Sequence, residues 1–249
     1  MNIKLLSLIA GAIMYMVFMI ALFPAPIAYK WLAPDSIELL GVQGRLWSGR
    51  AAAGFLGDME ARNINWNFIP LDLFVGRITG KINMLLDNGS VDTKASVTFG
   101  GLVLQELRAV FDLQVLENFI PIGATQGTVL AQIEHLVIEE GWPTRIIGEL
   151  RLMELVVAPF IPSGSTLIPI GSFQLAFLDN SKLGGTVEHI NGPLEASGNI
   201  ELRPSRAYDI EILVKALPDA SQELLQGLEL MTGEPNNLGF RAFSLTGSL

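Results

Sequence analysis

Hydrophobic positions along this chain follow two different rules. From Leu5 to Phe23 they run on without one charged residue, and Ser7 and Gly11 are the only strongly non-apolar members. Beyond about residue 37 they fall on every second position instead. The first rule predicts a membrane-spanning helix. At 1.5 Å per residue the uncharged run covers roughly 28 Å, against a hydrocarbon core of about 30 Å. Pro24 and Pro26 predict its end, because proline lacks the amide proton and clashes with the preceding turn. Tyr29 and Trp31 then fall at headgroup depth, where amphipathic rings prefer to sit. The run is longer than a signal-peptide core, and Phe23–Ala28 offers no clean small-residue cleavage site. Lys4 and the free amino terminus favour a cytoplasmic N-terminus, a bias weakened by Lys30 on the far side.

The second rule predicts strands with one wet and one dry face. Ile64, Trp66 and Phe68 alternate with Asn63, Asn65 and Asn67. Ile78, Ile82, Met84 and Leu86 alternate with Arg77, Lys81 and Asn83, and Val91, Ala95, Val97 and Phe99 with Asp92, Lys94 and Ser96. Asn88-Gly89 between these two runs predicts a hairpin tip joining 77–86 to 91–99, since both residues tolerate positive φ. The pattern resumes at Leu107–Val115, Phe173–Phe177, Leu194–Leu202 and Tyr208–Val214. Trp66, Ile82, Val97 and Phe111 are expected on the buried face. Leu116–Ile122 is apolar and irregular, a short helix or a connection. Only Asp219–Leu228 reads as a helix. Glycines 127, 148, 171, 185, 198 and 247 are read as opening strands, their irregular spacing ruling out a strict repeat. About a dozen strands with short connections and almost no helix make an antiparallel meander that must bury its apolar face by curling. The expected fold is therefore mainly β: an N-terminal transmembrane helix, then a curled antiparallel sheet forming a β-groove or roll.

Composition narrows the chemistry. The chain has no cysteine, so disulfides and thiolate metal sites are excluded. A net charge of −9 argues against nucleic acid as a partner. Charged residues make up 16%, low against the ordinary figure of about 25%. His135 and His189 stand far apart and belong to no H-E-x-x-H pair; both are read as structural or surface groups. No phosphate-binding loop, dinucleotide fingerprint or nucleophile elbow is present. Ser163–Thr166 lies between Pro162 and Pro169 and reads as a loop. Glu139 and Glu140 are adjacent on a strand, so they point to opposite faces and make a poor acid–base couple. No catalytic, cofactor-binding or metal residues are assigned, and the chain is not expected to be an enzyme.

One segment has a distinctive spacing. Gly41, Gly44, Leu46, Trp47, Gly49 and Ala51 form Gly-x-x-Gly-x-Leu-Trp-x-Gly-x-Ala close behind the apolar run. Trp66, Pro70, Leu71, Leu73 and Gly76 add a second tryptophan, a proline and a leucine-rich stretch ending in glycine. This order resembles the type II secretion system protein N family, sharply over the first third of the chain and more loosely at Gly192-Pro193-Leu194, Gly198 and Tyr208. Gly41, Gly44, Leu46, Trp47, Gly49, Trp66 and Pro70 read as a structural signature. The glycines around Trp47 let other backbone approach, which suits a core ring packed on a neighbouring strand.

The resemblance implies a Gram-negative cell inner-membrane protein crossing once. Residues 1–4 would be cytoplasmic, 5–23 the transmembrane helix, 24–36 a membrane-proximal spacer and 37–249 a periplasmic β-rich domain. It implies a non-enzymatic component that supports export of folded proteins across the outer membrane through contacts with other type II secretion subunits, of the inner-membrane platform or secretin-associated. The alternative is a lipid-handling or envelope-maintenance protein, because an anchored, apolar-lined curled sheet also resembles the AsmA-like proteins in architecture.

Overall fold

Side chains alternating across a strand can keep one face dry only if neighbouring strands hold the same parity, and the register here does so over almost the whole chain. The computed structural model describes residues 3–32, 37–56, 59–86, 88–116, 124–158, 167–178 and 183–248. Fourteen strands form one antiparallel sheet: β1 (Ile37–Leu40), β2 (Gln43–Gly44), β3 (Ser48–Leu56), β4 (Met59–Ile69), β5 (Ile78–Leu86), β6 (Gly89–Thr98), β7 (Gly101–Asp112), β8 (Ala124–Glu139), β9 (Trp142–Val157), β10 (Ile168–Phe177), β11 (Gly184–Asn191), β12 (Leu194–Leu202), β13 (Ala207–Ala216) and β14 (Arg241–Ser248). From β3 onward each strand pairs with the next, while β1 and β2 both lie along the free side of β3.

One row of cross-strand partners shows the dry face. It runs Trp66–Ile82–Thr93, then Val91–Ala109–Ala131–Leu150–Leu175–Val187–Gly198–Ile212–Phe243. The other face carries a polar row, in which Asn65, Asn83, Asp92, Arg108, Gln132 and Glu149 pair in succession. The parity breaks expected of a long chain are absorbed by bulges. Gly127, Gly148 and Gly171 have positive φ and sit at register shifts inside β8, β9 and β10, not at strand starts. Gly185, Gly198 and Gly247 are likewise internal to β11, β12 and β14.

The sheet bends. Arg206, in the β12–β13 turn, donates from Nη2 to the carbonyl of Glu140, in the β8–β9 turn, at 2.8 Å. In a flat sheet those turns would be about four strand spacings, roughly 19 Å, apart. The main core lies within the bend. Leu113, Val129, Leu155, Ile168, Phe173, Leu194 and Val214 gather around Leu224 and Leu228 of helix α3 (Gln222–Met231). Ser221 caps α3, accepting the Leu224 amide at 3.2 Å, so the helix starts after the Asp219 position read from sequence. The apolar segment after β7 begins as a 3-10 turn, Leu113–Leu116; the rest of Leu116–Ile122 and the Ser163–Thr166 loop lie outside the described residues.

Two sequence expectations are corrected. Of the four residues placed on the buried face, Trp66, Ile82 and Phe111 are half-buried and Val97 is 50% exposed. Val97 shares the parity of its strand, but it pairs with Ile78 at an end of the sheet where α3 gives no cover. The β5–β6 hairpin forms, with its tip one residue earlier than expected. Leu86 pairs with Gly89, so Gly89 belongs to β6, and β7 backbone at Val110 leaves no room for a side chain there.

At the N-terminus, α1 (Ile3–Ala21) is followed by α2 (Ala25–Leu32). The stretch read as a spacer thus holds a helix, with Pro24 offering its carbonyl to Ala28 at 3.1 Å and Pro26 in the first turn, where a missing amide costs nothing. Every described side chain from Leu8 to Leu22 is exposed, and the side chains of α1 are described only from Leu8. Over the described residues alone, no helix is long and apolar enough to cross a membrane. Ala25 and Ala28 bury one face of α2, and Tyr29 Oη accepts the Leu39 amide at 2.8 Å, so α2 shields the outer edge of the sheet.

Since Leu224 is 1% exposed and Leu225 45%, Leu224→Ala is expected to destabilise the fold by about 2–5 kcal/mol and Leu225→Ala by less than about 0.5 kcal/mol. Urea unfolding of the two variants checks this; equal midpoints would remove α3 from the core.

Candidate functional site

The signature residues meet at one place, the foot of α1. β2 ends at Gly44, whose φ of +95° suits glycine, and the chain turns through Arg45, Leu46 and Trp47 into β3. Within that turn Arg45 N donates to Ser48 O at 2.9 Å, and Ser48 N to Arg45 O at 3.2 Å. Gly41, also left-handed, separates β1 from β2 so that both can follow β3.

The turn is built to receive a broken helix. Ile20 would ordinarily offer its carbonyl to the amide four residues on, but that residue is Pro24 and has no proton. Within α1's own end, only Phe23 N approaches it, at 3.3 Å. Trp47 Nε1 donates to the same oxygen at 2.8 Å. Next along, Leu46 N donates to Phe23 O at 2.8 Å, and Pro24 forms an isolated bridge with Arg45. The sheet side closes in the same way. Trp66 Nε1 donates to Leu46 O at 2.9 Å, and Phe68 N to Trp47 O at 2.6 Å. Leu46 and Trp47 therefore spend both backbone and ring hydrogen bonds joining α1 to β4.

Gly49 explains the second tryptophan. It pairs directly with Trp66, and a Cβ on Gly49 would come within 2.5 Å of Trp66 Cζ2. The ring that lies over this glycine is thus Trp66, whereas sequence reasoning had placed Trp47 against neighbouring backbone. Trp47 itself is half-buried and acts as a clamp on the helix end. Its partner was not visible in the pattern of side chains because it is a main-chain oxygen made needy by a distant proline.

Pro70 opens a 3-10 helix, Pro70–Val75, that joins β4 to β5 and ends at Gly76. Asp72 closes this segment, accepting from Arg77 Nε at 3.2 Å. A hydrogen bond from Thr79 holds its carboxyl below the ordinary 3.8 against desolvation, which raises it, with Arg77 and then Lys94 adding to the lowering. A lowered carboxylate contributes stability above its unfolded value and loses it as pH falls through the folded one, so the segment stays tied at neutral pH and loosens only below 3.8.

The other residues weighed for chemistry are not gathered here. His135 sits in β8 opposite Gln105 and Ile147. His189 of β11 lies 3.3 Å from Gly192 O through Nε2 and packs against the Phe173 ring. Glu139 ends β8, and Glu140 takes the left-handed turn position with a φ of +52°. Among the described residues no group of three or more His, Cys, Asp or Glu is placed to hold a metal. A second feature is a cavity of about 330 Å³ under α3, lined by apolar side chains including Leu152, Phe173, Val187, Ile200, Ile212, Leu228, Met231 and Phe243.

Two substitutions separate clamp from packing. Trp47→Phe keeps the ring and removes the donor, and is expected to cost about 0.5–1.5 kcal/mol, seen as faster proteolysis between residues 20 and 24. Gly49→Val drives a side chain into the Trp66 ring and is expected to cost about 1–3 kcal/mol by urea unfolding. Unchanged proteolysis in Trp47→Phe would show that the indole hydrogen bond does not hold the junction.

Residues 35–244 match the family described as Type II secretion system (T2SS), protein N, a segment that contains the whole turn and both tryptophans. The chain is 22% identical over 236 residues to Type II secretion system protein N of Aeromonas hydrophila, covering 90% of each chain. It is also 22% identical over 255 residues to the protein of that name from Vibrio cholerae serotype O1, covering 97% of this chain and 94% of the other. No solved structure matches. With more than half its length matched, the chain belongs to the type II secretion system protein N family.

Proposed function

We propose that the protein is a non-enzymatic subunit of a type II secretion system, held in the inner membrane by α1 with its N-terminus in the cytoplasm and its sheet in the periplasm. It supports export of folded proteins across the outer membrane through contacts with other subunits of the apparatus. The observation that carries the reading is the family match over residues 35–244. The anchoring rests further on the uncharged run from Leu5 to Phe23 and on the exposure of α1 from Leu8 to Leu22. An apolar helix that leaves every described side chain unburied has no place in water, and a bilayer supplies the missing environment. The motif residues Gly41, Gly44, Leu46, Trp47, Gly49, Trp66 and Pro70 then serve to couple that helix rigidly to the sheet.

A second reading is favoured by the cavity under α3, whose apolar lining suits a hydrocarbon chain. Here the protein handles lipid in the manner of an apolar β-groove.

Deleting the gene is expected to leave secretion substrates in the periplasm, measured as their loss from the culture medium, with restoration by the full chain. Alkaline phosphatase fused after Leu249 is expected to be active. Unaltered secretion in the deletion strain would overturn the subunit reading, and an inactive fusion the topology. Lipid co-purifying with the full chain, and lost on Phe173→Trp, would favour the second reading.

A further inference from the structure

Four strongly exposed apolar side chains lie together at one rim of the sheet. Leu71 is 72% exposed, Phe74 89%, Val75 68% and Phe99 103%. The first three lie in the Pro70–Val75 helix between β4 and β5, and Phe99 lies in the β6–β7 turn. A Cβ on Gly76 would touch Phe99 Cε2 at 3.8 Å, so the two turns adjoin.

The register places this rim beside the foot of α1. Ser48 pairs with Asn67, Ile69 with Thr79, Ile78 with Val97 and Thr98 with Gly101, so the start of β3 and both apolar turns share one end of the sheet. The Arg45–Ser48 turn, which holds Ile20 and Phe23, sits at that same end. In a sheet the two turns are only about one to four strand spacings, roughly 5–19 Å, from α1. Phe23 and Trp31 add rings 5.9 Å apart at the foot itself, with Trp31 75% exposed.

Turns elsewhere are different. At the opposite end the β5–β6 turn carries Asn88, bonded to Asp112. At the rim's own end but further along the sheet, the tips are the polar Glu139–Gly141 and Arg203–Arg206. Among the described residues of the sheet and its turns, the exposed phenylalanines are Phe74 and Phe99, both in turns next to α1. The one carboxylate within them, Asp72, is paired with Arg77 and turned to Thr79.

We infer that this rim is a membrane-contact surface: Leu71, Phe74, Val75 and Phe99 enter the interface of the leaflet from which α1 emerges, so the sheet stands on the bilayer along its first strands. The inference rests on the reading of α1 as the anchor. Aromatic and aliphatic side chains at turn tips bury apolar area in the headgroup region, and a rigid junction at Trp47 holds them at that depth.

The chain has no cysteine, so single labels can be placed at will. Full-length Phe74→Cys, Phe99→Cys, Ser90→Cys and Val17→Cys are each labelled with bimane and reconstituted in phosphatidylethanolamine–phosphatidylglycerol vesicles containing lipid nitroxides near the headgroup or at mid-chain. Thermal melts confirm that each variant is folded. The expected result is several-fold stronger quenching at Phe74 and Phe99 than at Ser90 by the shallow nitroxide, with Val17 quenched by the deep one. Quenching at Val17 with Phe74 and Phe99 no different from Ser90 overturns the rim contact and leaves the anchor standing. No quenching at Val17 overturns the anchor, and the rim inference with it. Protection of Phe74 and Phe99 from both lipid nitroxide and aqueous iodide overturns the inference in favour of a protein cover.

Discussion

A single antiparallel sheet has two faces, and among the described residues this one has little to put over the dry one. Most large sheets of this kind meet a second sheet or a layer of helices. Here the row from Val91 to Phe243 is continuous across nine strands, and the chief cover at its far end is the ten-residue helix α3. The free energy to be gained is that of removing a broad apolar stripe from water, at about 25 cal/mol per Å². Bending the sheet around Leu224 and Leu228 gains much of it with very little additional chain. The bulges at Gly127, Gly148 and Gly171 fall in the strands that bend, and the Arg206–Glu140 bond ties the resulting curve at one end. Where α3 does not reach, the same parity leaves Val97 and Ile78 half in water.

Glycine and aromatic residues solve a local version of this problem. Gly49 faces Trp66, Gly80 faces Phe68, Gly185 faces Phe177 and Gly247 faces Tyr208, each pair in direct register. A glycine in a strand interior exposes backbone and gives its neighbours nothing to pack on. A ring laid across it from the next strand restores the lost contact and shields the peptide hydrogen bonds. The partner need not be close in sequence, so a run such as Gly44–Gly49 does not reveal which ring it awaits. Trp47 was the nearer candidate, and Trp66, set by β3–β4 register, is the occupant.

How far the chain could be read in advance follows from where the information sits. Period-two alternation lives in side chains, so β4 to β7 and β12 to β13 were legible, down to a hairpin around Asn88. α2 was not, because Pro24 and Pro26 signal the end of one helix and equally the start of another, and eight residues give too short a periodicity to choose. Strand interiors at Gly148 and Gly171 were read as strand starts because glycine marks bulges and ends alike. The site was legible as a motif and not as a mechanism. Residues Gly41 to Gly49 read as a structural signature around a core ring, whereas the purpose of the turn they form depends on an Ile20 carbonyl that no residue type encodes.

That carbonyl bears on how an envelope subunit transmits position. A helix joined to a domain by a loose linker fixes only which side of a membrane the domain occupies. Here two hydrogen bonds from consecutive residues, Leu46 and Trp47, bind the α1 end, and two more from Trp66 and Phe68 bind those same residues to β4. Each is worth only about 1 kcal/mol net, but they close one connected path in which helix end, turn and strand share orientation. Rotation of the sheet about α1 would have to break several of them together. α2 adds a third constraint, since Tyr29 Oη accepts the Leu39 amide of β1. A sheet held this way presents a fixed edge and a fixed polar face to its surroundings, which is what recognition by other subunits of a type II secretion system requires.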